Sequence, residues 1–252
     1  MPRPQRFNKY ANLGNYHWRQ TYLGGWMRFS APAHARYDIV LHMIGKELNL
    51  ASSLGLDVGC GDGVMLHKIR LGGGNAIGLD SDEIGLRIAN ELYRRLNKQS
   101  PILLQASCYE IPLRDESVDF VTAIELIEHL DNPRIFLEEV LRVLVPSGVF
   151  CLTTPNRLSV QGPRDVYHVL EYTPEELQNV LTPFFSQVKI LGQFQHDLVH
   201  LYRKATGIRL IDKSVRFMFK VSLLLRFNPF VHMITLSPDS RWDGLVAICK
   251  KG

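Results

Sequence analysis

Leu56-Asp57-Val58-Gly59-Cys60-Gly61-Asp62-Gly63 is the stretch on which the reading of this chain turns. Leu54–Gly59 is a short apolar run bounded by glycines, which reads as a strand. Val64–Leu71 follows with helical character and stops at Gly72-Gly73-Gly74. A glycine-rich turn between a strand and a helix brings backbone close to a ligand that a Cβ would exclude. The next strand, Ala76–Asp80, ends on an acid 21 residues after Gly59. That is the spacing at which a carboxylate reaches the ribose hydroxyls of a bound nucleoside. The spacing of the turn is G-x-G-x-G, with Val64 where a dinucleotide fold would carry its third glycine. No Arg or Lys lies in the turn, and Asp57 and Asp62 would repel a pyrophosphate. An acidic turn suits a cationic ligand with an amino acid end.

Outward from that turn the alternation continues. Glu83–Leu96 has apolar residues at 84, 88, 92 and 96 and reads as a helix. Pro101–Ala106 and Val118–Ile124 read as strands, Pro133–Val145 as a helix opening on proline, and Val149–Thr154 as the fifth strand. Thr173–Leu181 opens on Thr-Pro-Glu-Glu, a cap followed by proline and acids. Val188–Phe194 and Leu245–Lys250 supply strands six and seven. Strands alternating with helices predict an α/β, doubly wound sheet. Residues 1–36, rich in Tyr and Trp, show no clean period and read as a basic, aromatic arm; Tyr37, Val40, Leu41, Ile44 and Leu48 then fall at helical spacing. Residues 198–242 form a long insertion between strands six and seven, read as a helical cap.

The turn and its surroundings resemble the class I S-adenosylmethionine-dependent methyltransferase family, of the type 11-like kind. The resemblance covers residues 38–200 and resumes at 243–251. Leu56–Gly63 resembles the first motif, Asp80 the ribose-binding acid, and Ser107–Leu113 the adenine-contacting loop, with Ser107 standing where many relatives carry Asp. The resemblance implies a Rossmann-like sheet of seven strands whose last strand is antiparallel and inserted between the fifth and sixth. It implies S-adenosyl-L-methionine as cofactor, with Asp57, Gly59, Cys60, Gly61, Asp80, Ser81, Ser107, Cys108 and Glu125 around it.

Glu125-Leu126-Ile127-Glu128-His129 follows the fourth strand. On a helical turn, positions i, i+3 and i+4 share a face, so two carboxylates and an imidazole would converge. This E-x-x-E-H run resembles the metal-binding motif of small-RNA 2′-O-methyltransferases and of quinone-biosynthesis O-methyltransferases, where a downstream histidine, matched here by His168, completes the site. Glu125, Glu128, His129 and His168 are therefore the candidate Mg²⁺ ligands. The same run also occurs in metal-free relatives, with the first Glu lining the cofactor pocket. His129, Glu125 and His17, the last within the aromatic arm, are the candidate catalytic groups.

Composition fits this reading. The 252 residues are 46% hydrophobic and 21% charged, as expected of a globular chain. Cys60, Cys108, Cys151 and Cys249 form no C-x-x-C pair, which argues against a zinc ribbon or redox motif. No apolar signal segment follows the first residues, so a cytoplasmic protein is expected. The formal charge of +4 is uneven: residues 1–37 carry six basic residues and no acid, and residues 203–252 carry ten basic against three acidic. Arg209, Lys213, Arg216 and Lys220 would form one stripe on a largely apolar helix. That stripe suggests peripheral attachment to an anionic membrane surface, a lid over the site, or a helix packed with its stripe in water. The substrate class read from the sequence is a small or lipid-linked oxygen acceptor, a saccharide or quinone-like phenol. RNA 2′-O-methylation and a non-catalytic cofactor-binding module are the alternatives.

Overall fold

In the computed structural model, the residues described are 9–23, 30–96, 99–159, 165–195, 229–232, 234–236 and 238–252. The stripe at Arg209, Lys213, Arg216 and Lys220, and most of the insertion, lie outside them.

The glycine-rich turn sits where the sequence puts it, between β1 (Leu54–Val58) and the helix Val64–Leu71. The other strands are β2 (Asn75–Asp80), β3 (Ile102–Gln105), β4 (Val118–Ile124), β5 (Leu144–Pro155), β6 (Gln187–Gln195), β7 (Ile234–Thr235) and β8 (Trp242–Lys250). They form one sheet in the order β3-β2-β1-β4-β5-β8-β6-β7. β1 to β5 are parallel neighbours, and β8 runs antiparallel between β5 and β6. The Rossmann-like sheet with its inserted antiparallel strand is therefore present. The count is eight rather than seven, because two residues of the insertion pair with β6 at Gly192↔Thr235 and Gln193↔Ile234.

Alternating side chains put two apolar faces on this sheet, as strands buried on both sides require. Phe120, Cys151, Val246 and Ile248 face one layer; Val121, Phe150, Leu152, Leu245 and Ala247 face the other. Against the first face pack Trp18, α2 (Ala31–Glu47), α3 (Val64–Leu71) and α4 (Glu83–Arg95), while α1 (Lys9–Leu13) lies on α4 through Tyr10 at Gly85. Against the second pack α5 (Pro133–Val143) and α6 (Pro174–Leu181). α6 begins as the Thr-Pro-Glu-Glu run predicts. Thr173 accepts from the Glu176 amide and the Glu176 carboxylate accepts from the Thr173 amide, a reciprocal cap with proline at the first turn.

Two corrections concern the N-terminal segment. The arm read as lacking a period folds, over its described part, into α1, a turn at Tyr16–Trp18 and a π-type turn at Arg19–Leu23. The helix expected from Tyr37 starts at Ala31, where Ser30 accepts from the Ala33 amide and Pro32 occupies the first turn.

β1 and β4 come together closely at Gly55, which pairs with Phe120. A Cβ at Gly55 would lie 2.2 Å from the Phe120 ring, and that ring is fully buried. Gly55→Ala should therefore overpack the centre of the sheet and cost about 1–3 kcal/mol. Urea denaturation with a midpoint unchanged from wild type would refute this.

Candidate active site

The carboxyl ends of β1, β2, β3 and β4 open onto a cleft of about 1120 Å³, the place where ligands bind open α/β sheets. Pockets for one small ligand measure roughly 300–1,000 Å³, so this cleft lies just above that range.

One wall is the expected nucleoside side. Gly59, Asp80, Ser81, Ser107, Cys108 and Glu125 all line it. Asp80 caps the turn as well as facing the cleft: it accepts from the Gly61 amide and the Asp82 amide, both at 2.8 Å. Burial raises its carboxyl above the ordinary range, against the pull of those amides. Ser107 accepts from the Tyr109 amide at 3.2 Å, which fixes the adenine-side loop.

Three expected contacts differ. Asp57, Cys60 and Gly61 do not line the cleft. Asp57 points into the sheet, 2% exposed, and accepts from the Thr122 hydroxyl at 2.7 Å; it holds β1 to β4 beneath the turn. Cys60 is buried against the neighbouring strand at Gly78. Gly61 is covered by Tyr10: a Cβ there would lie 1.6 Å from the Tyr10 hydroxyl, and its φ of +49° is left-handed, so this position needs glycine.

Glu125 ends β4 with φ of +50°, a conformation that a non-glycine residue adopts only under constraint. The constraint is visible. Its amide donates to the Thr153 carbonyl at 3.1 Å, its Oε1 accepts from the Thr153 hydroxyl at 3.0 Å, and its Oε2 lies 3.3 Å from Arg36. Arg36, from α2, also lines the cleft, and its Nε is buried with no hydrogen-bond partner. Sequence reasoning missed Arg36, which stands in no motif.

Three imidazoles, His17, His129 and His168, line the same cleft. His129 lies in a 3₁₀ turn, Ile127–His129, that departs from the left-handed Glu125. The two ring nitrogens are set by their neighbours: His129 Nδ1 is 2.9 Å from the Tyr167 carbonyl, and His168 Nδ1 is 2.7 Å from the buried Glu171 carboxylate. Each Nδ1 therefore donates and leaves Nε2 as the acceptor. Burial lowers the His129 pKa, and the neighbouring His168 and Lys9 lower it further against the Tyr167 hydrogen bond. The Glu128 carbonyl accepts from the Val169 and Leu170 amides at 2.8 and 3.2 Å, which brings His168 to His129, with ring centroids 4.9 Å apart.

The expected four-ligand metal set is reduced to three. Donor atoms of Glu128, His129 and His168 lie within 4.8 Å of one another. Glu125 is not in that group, because the left-handed residue before the 3₁₀ turn breaks the shared helical face and Thr153 and Arg36 hold its carboxylate. Glu128 is fully buried; its Oε2 accepts from the Thr154 hydroxyl at 3.0 Å while Oε1 has no hydrogen-bond partner. Burial, then the nearby Glu125, pushes its carboxyl well above the usual range. An orphaned buried oxygen beside two imidazoles is a donor set that a divalent cation fits.

Residues 56–152, from β1 through β5, match the family model described as a methyltransferase domain. Residues 56–152 therefore carry a methyltransferase domain. Among curated proteins the chain is 35% identical over 144 residues to a Mycolicibacterium smegmatis protein named a probable S-adenosylmethionine-dependent methyltransferase, covering 55% of this chain and 54% of that one. It is 25% identical over 211 residues to a Pseudomonas fluorescens ubiquinone biosynthesis O-methyltransferase, covering 82% and 83%. The chain spans little more than half the length of the mycobacterial relatives that it matches. Among solved structures, a Thermotoga maritima SAM-dependent methyltransferase superposes with a TM-score of 0.62 at 16% identity, covering 94% of this chain and 99% of that one, which is a likeness of fold. Among the described residues, no helix is long and apolar enough to cross a membrane.

Proposed function

We propose that the chain transfers the methyl group of S-adenosyl-L-methionine to an oxygen of a small or lipid-linked acceptor. The observation that carries this reading is that Gly59, Asp80, Ser107 and Glu125 line the same cleft as the imidazoles of His17, His129 and His168. Methyl transfer from a sulfonium is an in-line displacement, so the protein has to align two molecules in one water-poor space and take a proton from the acceptor hydroxyl. Asp80 would accept from the ribose hydroxyls, and Arg36 would pair with the methionine carboxylate. His129, held through Nδ1 with Nε2 as acceptor, is the base we favour. The resemblance to a quinone-pathway O-methyltransferase supports an oxygen acceptor of phenol type.

A metal-assisted form of the same reaction is the second reading, favoured by the orphaned Glu128 Oε1. Mg²⁺ or Mn²⁺ would be held by Glu128, His129 and His168, and when bound would act as a Lewis acid toward the acceptor oxygen.

The test is calorimetry followed by turnover. S-adenosylhomocysteine should bind and NAD should not; absence of S-adenosylhomocysteine binding would sink the assignment. Turnover of a catechol-type acceptor should then be measured in EDTA. Full activity there settles for the metal-free base, while loss that Mg²⁺ or Mn²⁺ restores, together with loss in Glu128→Ala at unchanged cofactor affinity, settles for the metal.

A further inference from the structure

We propose that residues 9–23 form a strap across the cleft that must lift before the cofactor can exchange, an inference that rests on reading the cleft as the S-adenosylmethionine site. Ala11, Tyr16, His17 and Gln20 of this segment line the cleft, so the strap is one of its walls. It has two attachments.

The first attachment is a buried clamp on the glycine-rich turn. Asp62, 1% exposed, accepts the backbone N–H groups of His17 and Trp18 at 3.1 and 3.4 Å, and its carbonyl accepts from the Trp18 indole. Its second carboxylate oxygen, buried without a hydrogen bond, lies 3.3 Å from His17 Nδ1. The acid that the sequence offers to a cationic ligand is thus used by the chain itself. Tyr10 adds to the clamp: its hydroxyl lies 3.1 Å from His17 Nδ1, and its ring covers Gly61 and Gly85.

The second attachment is a latch to the segment that carries His168. Lys9 pairs with Asp165 at 2.8 Å and lies 5.0 Å from the centroid of the Tyr167 ring. Both Asp165 and Tyr167 line the cleft next to His168.

The two attachments are unequal. A carboxylate as deeply buried as Asp62 is costly to strip of its backbone donors. The Lys9–Asp165 pair is 24% and 33% exposed, and such half-exposed pairs are weak and screened by salt. The latch therefore opens first, and the clamp serves as the pivot. With the latch closed, a bound cofactor is covered on the strap side.

The experiment is stopped-flow release of S-adenosylhomocysteine, read by tryptophan fluorescence, with hydrogen exchange on the same samples. Lys9→Met and Asp165→Asn should each raise the dissociation rate constant about fivefold to tenfold. The exchanged pair Lys9→Asp with Asp165→Lys should return it to within about twofold of wild type. Amides of residues 9–23 should exchange more slowly when S-adenosylhomocysteine is bound. Rate constants unchanged in both single variants, or strap amides indifferent to the ligand, overturn the strap while leaving the cofactor site standing. Faster release that the exchanged pair does not relieve overturns Lys9–Asp165 as the latch. A wild-type protein that binds no S-adenosylhomocysteine overturns the cofactor reading and the strap with it.

Discussion

Asp80→Ala is expected to weaken S-adenosylhomocysteine binding roughly tenfold to 150-fold, about 1.5–3 kcal/mol, because it removes a charged acceptor from paired hydroxyl donors. The same carboxylate accepts from the Gly61 and Asp82 amides, so the loss has two sources: the missing ribose contact and a turn no longer tied to the end of β2. Asp80→Asn separates them in part: the Gly61 and Asp82 amides bond to different oxygens, so the variant keeps one of the two contacts and loses the charge. Affinity should fall in the order wild type, Asn, Ala. The raised carboxyl pKa of Asp80 adds a sign: affinity should decline as pH falls and the carboxylate takes up a proton. Calorimetry giving equal affinities for wild type and Asp80→Ala would remove Asp80 from the site.

The parts of the fold written in the sequence are those fixed by local pattern. β4 occupies Val118–Ile124 and α3 occupies Val64–Leu71 as read, because an apolar run between turn residues and a helical period are both short-range signals. The parts not written there depend on distant contacts. β7 is two residues long and exists through its pairing with β6. The turns of residues 9–23 rest on Gly61, Asp62 and Asp165, at least 44 positions away for Asp62 and 156 for the Lys9 pair, and no period in an aromatic-rich arm announces them. The site shows the same division. Spacing identifies the glycine-rich turn and Asp80 but not that Asp57 faces the sheet. E-x-x-E-H identifies Glu128 and His129, yet the i, i+3, i+4 rule holds only on a continuous helix, and the left-handed Glu125 breaks it. Arg36 has no sequence signal beyond being a cation on the first turns of α2.

Asp57→Asn is expected to stabilise the ligand-free protein above neutral pH, with an advantage that depends on pH in a defined direction. Burial, with Asp80 adding to it against the Thr122 hydrogen bond, pushes the Asp57 carboxyl from an ordinary 3.8 up to about 7. In the unfolded chain the group loses its proton near pH 4, while the folded protein holds it until about pH 7. Between those values the unfolded state binds fewer protons, so stability falls as pH rises, and it levels off once both states are ionised. About three pH units at roughly 1.4 kcal/mol each put the full penalty at up to about 4 kcal/mol. Asparagine resembles the protonated carboxyl and can still accept from the Thr122 hydroxyl, so it should escape the penalty. The difference in Tm between variant and wild type should be near zero at pH 4, widen through pH 5 and 6, and hold steady above pH 7 at roughly 10 °C for a chain of this size. A difference that stays flat across that range would mean that Asp57 is ionised in the folded protein at acid pH and that the Thr122 contact outweighs its burial.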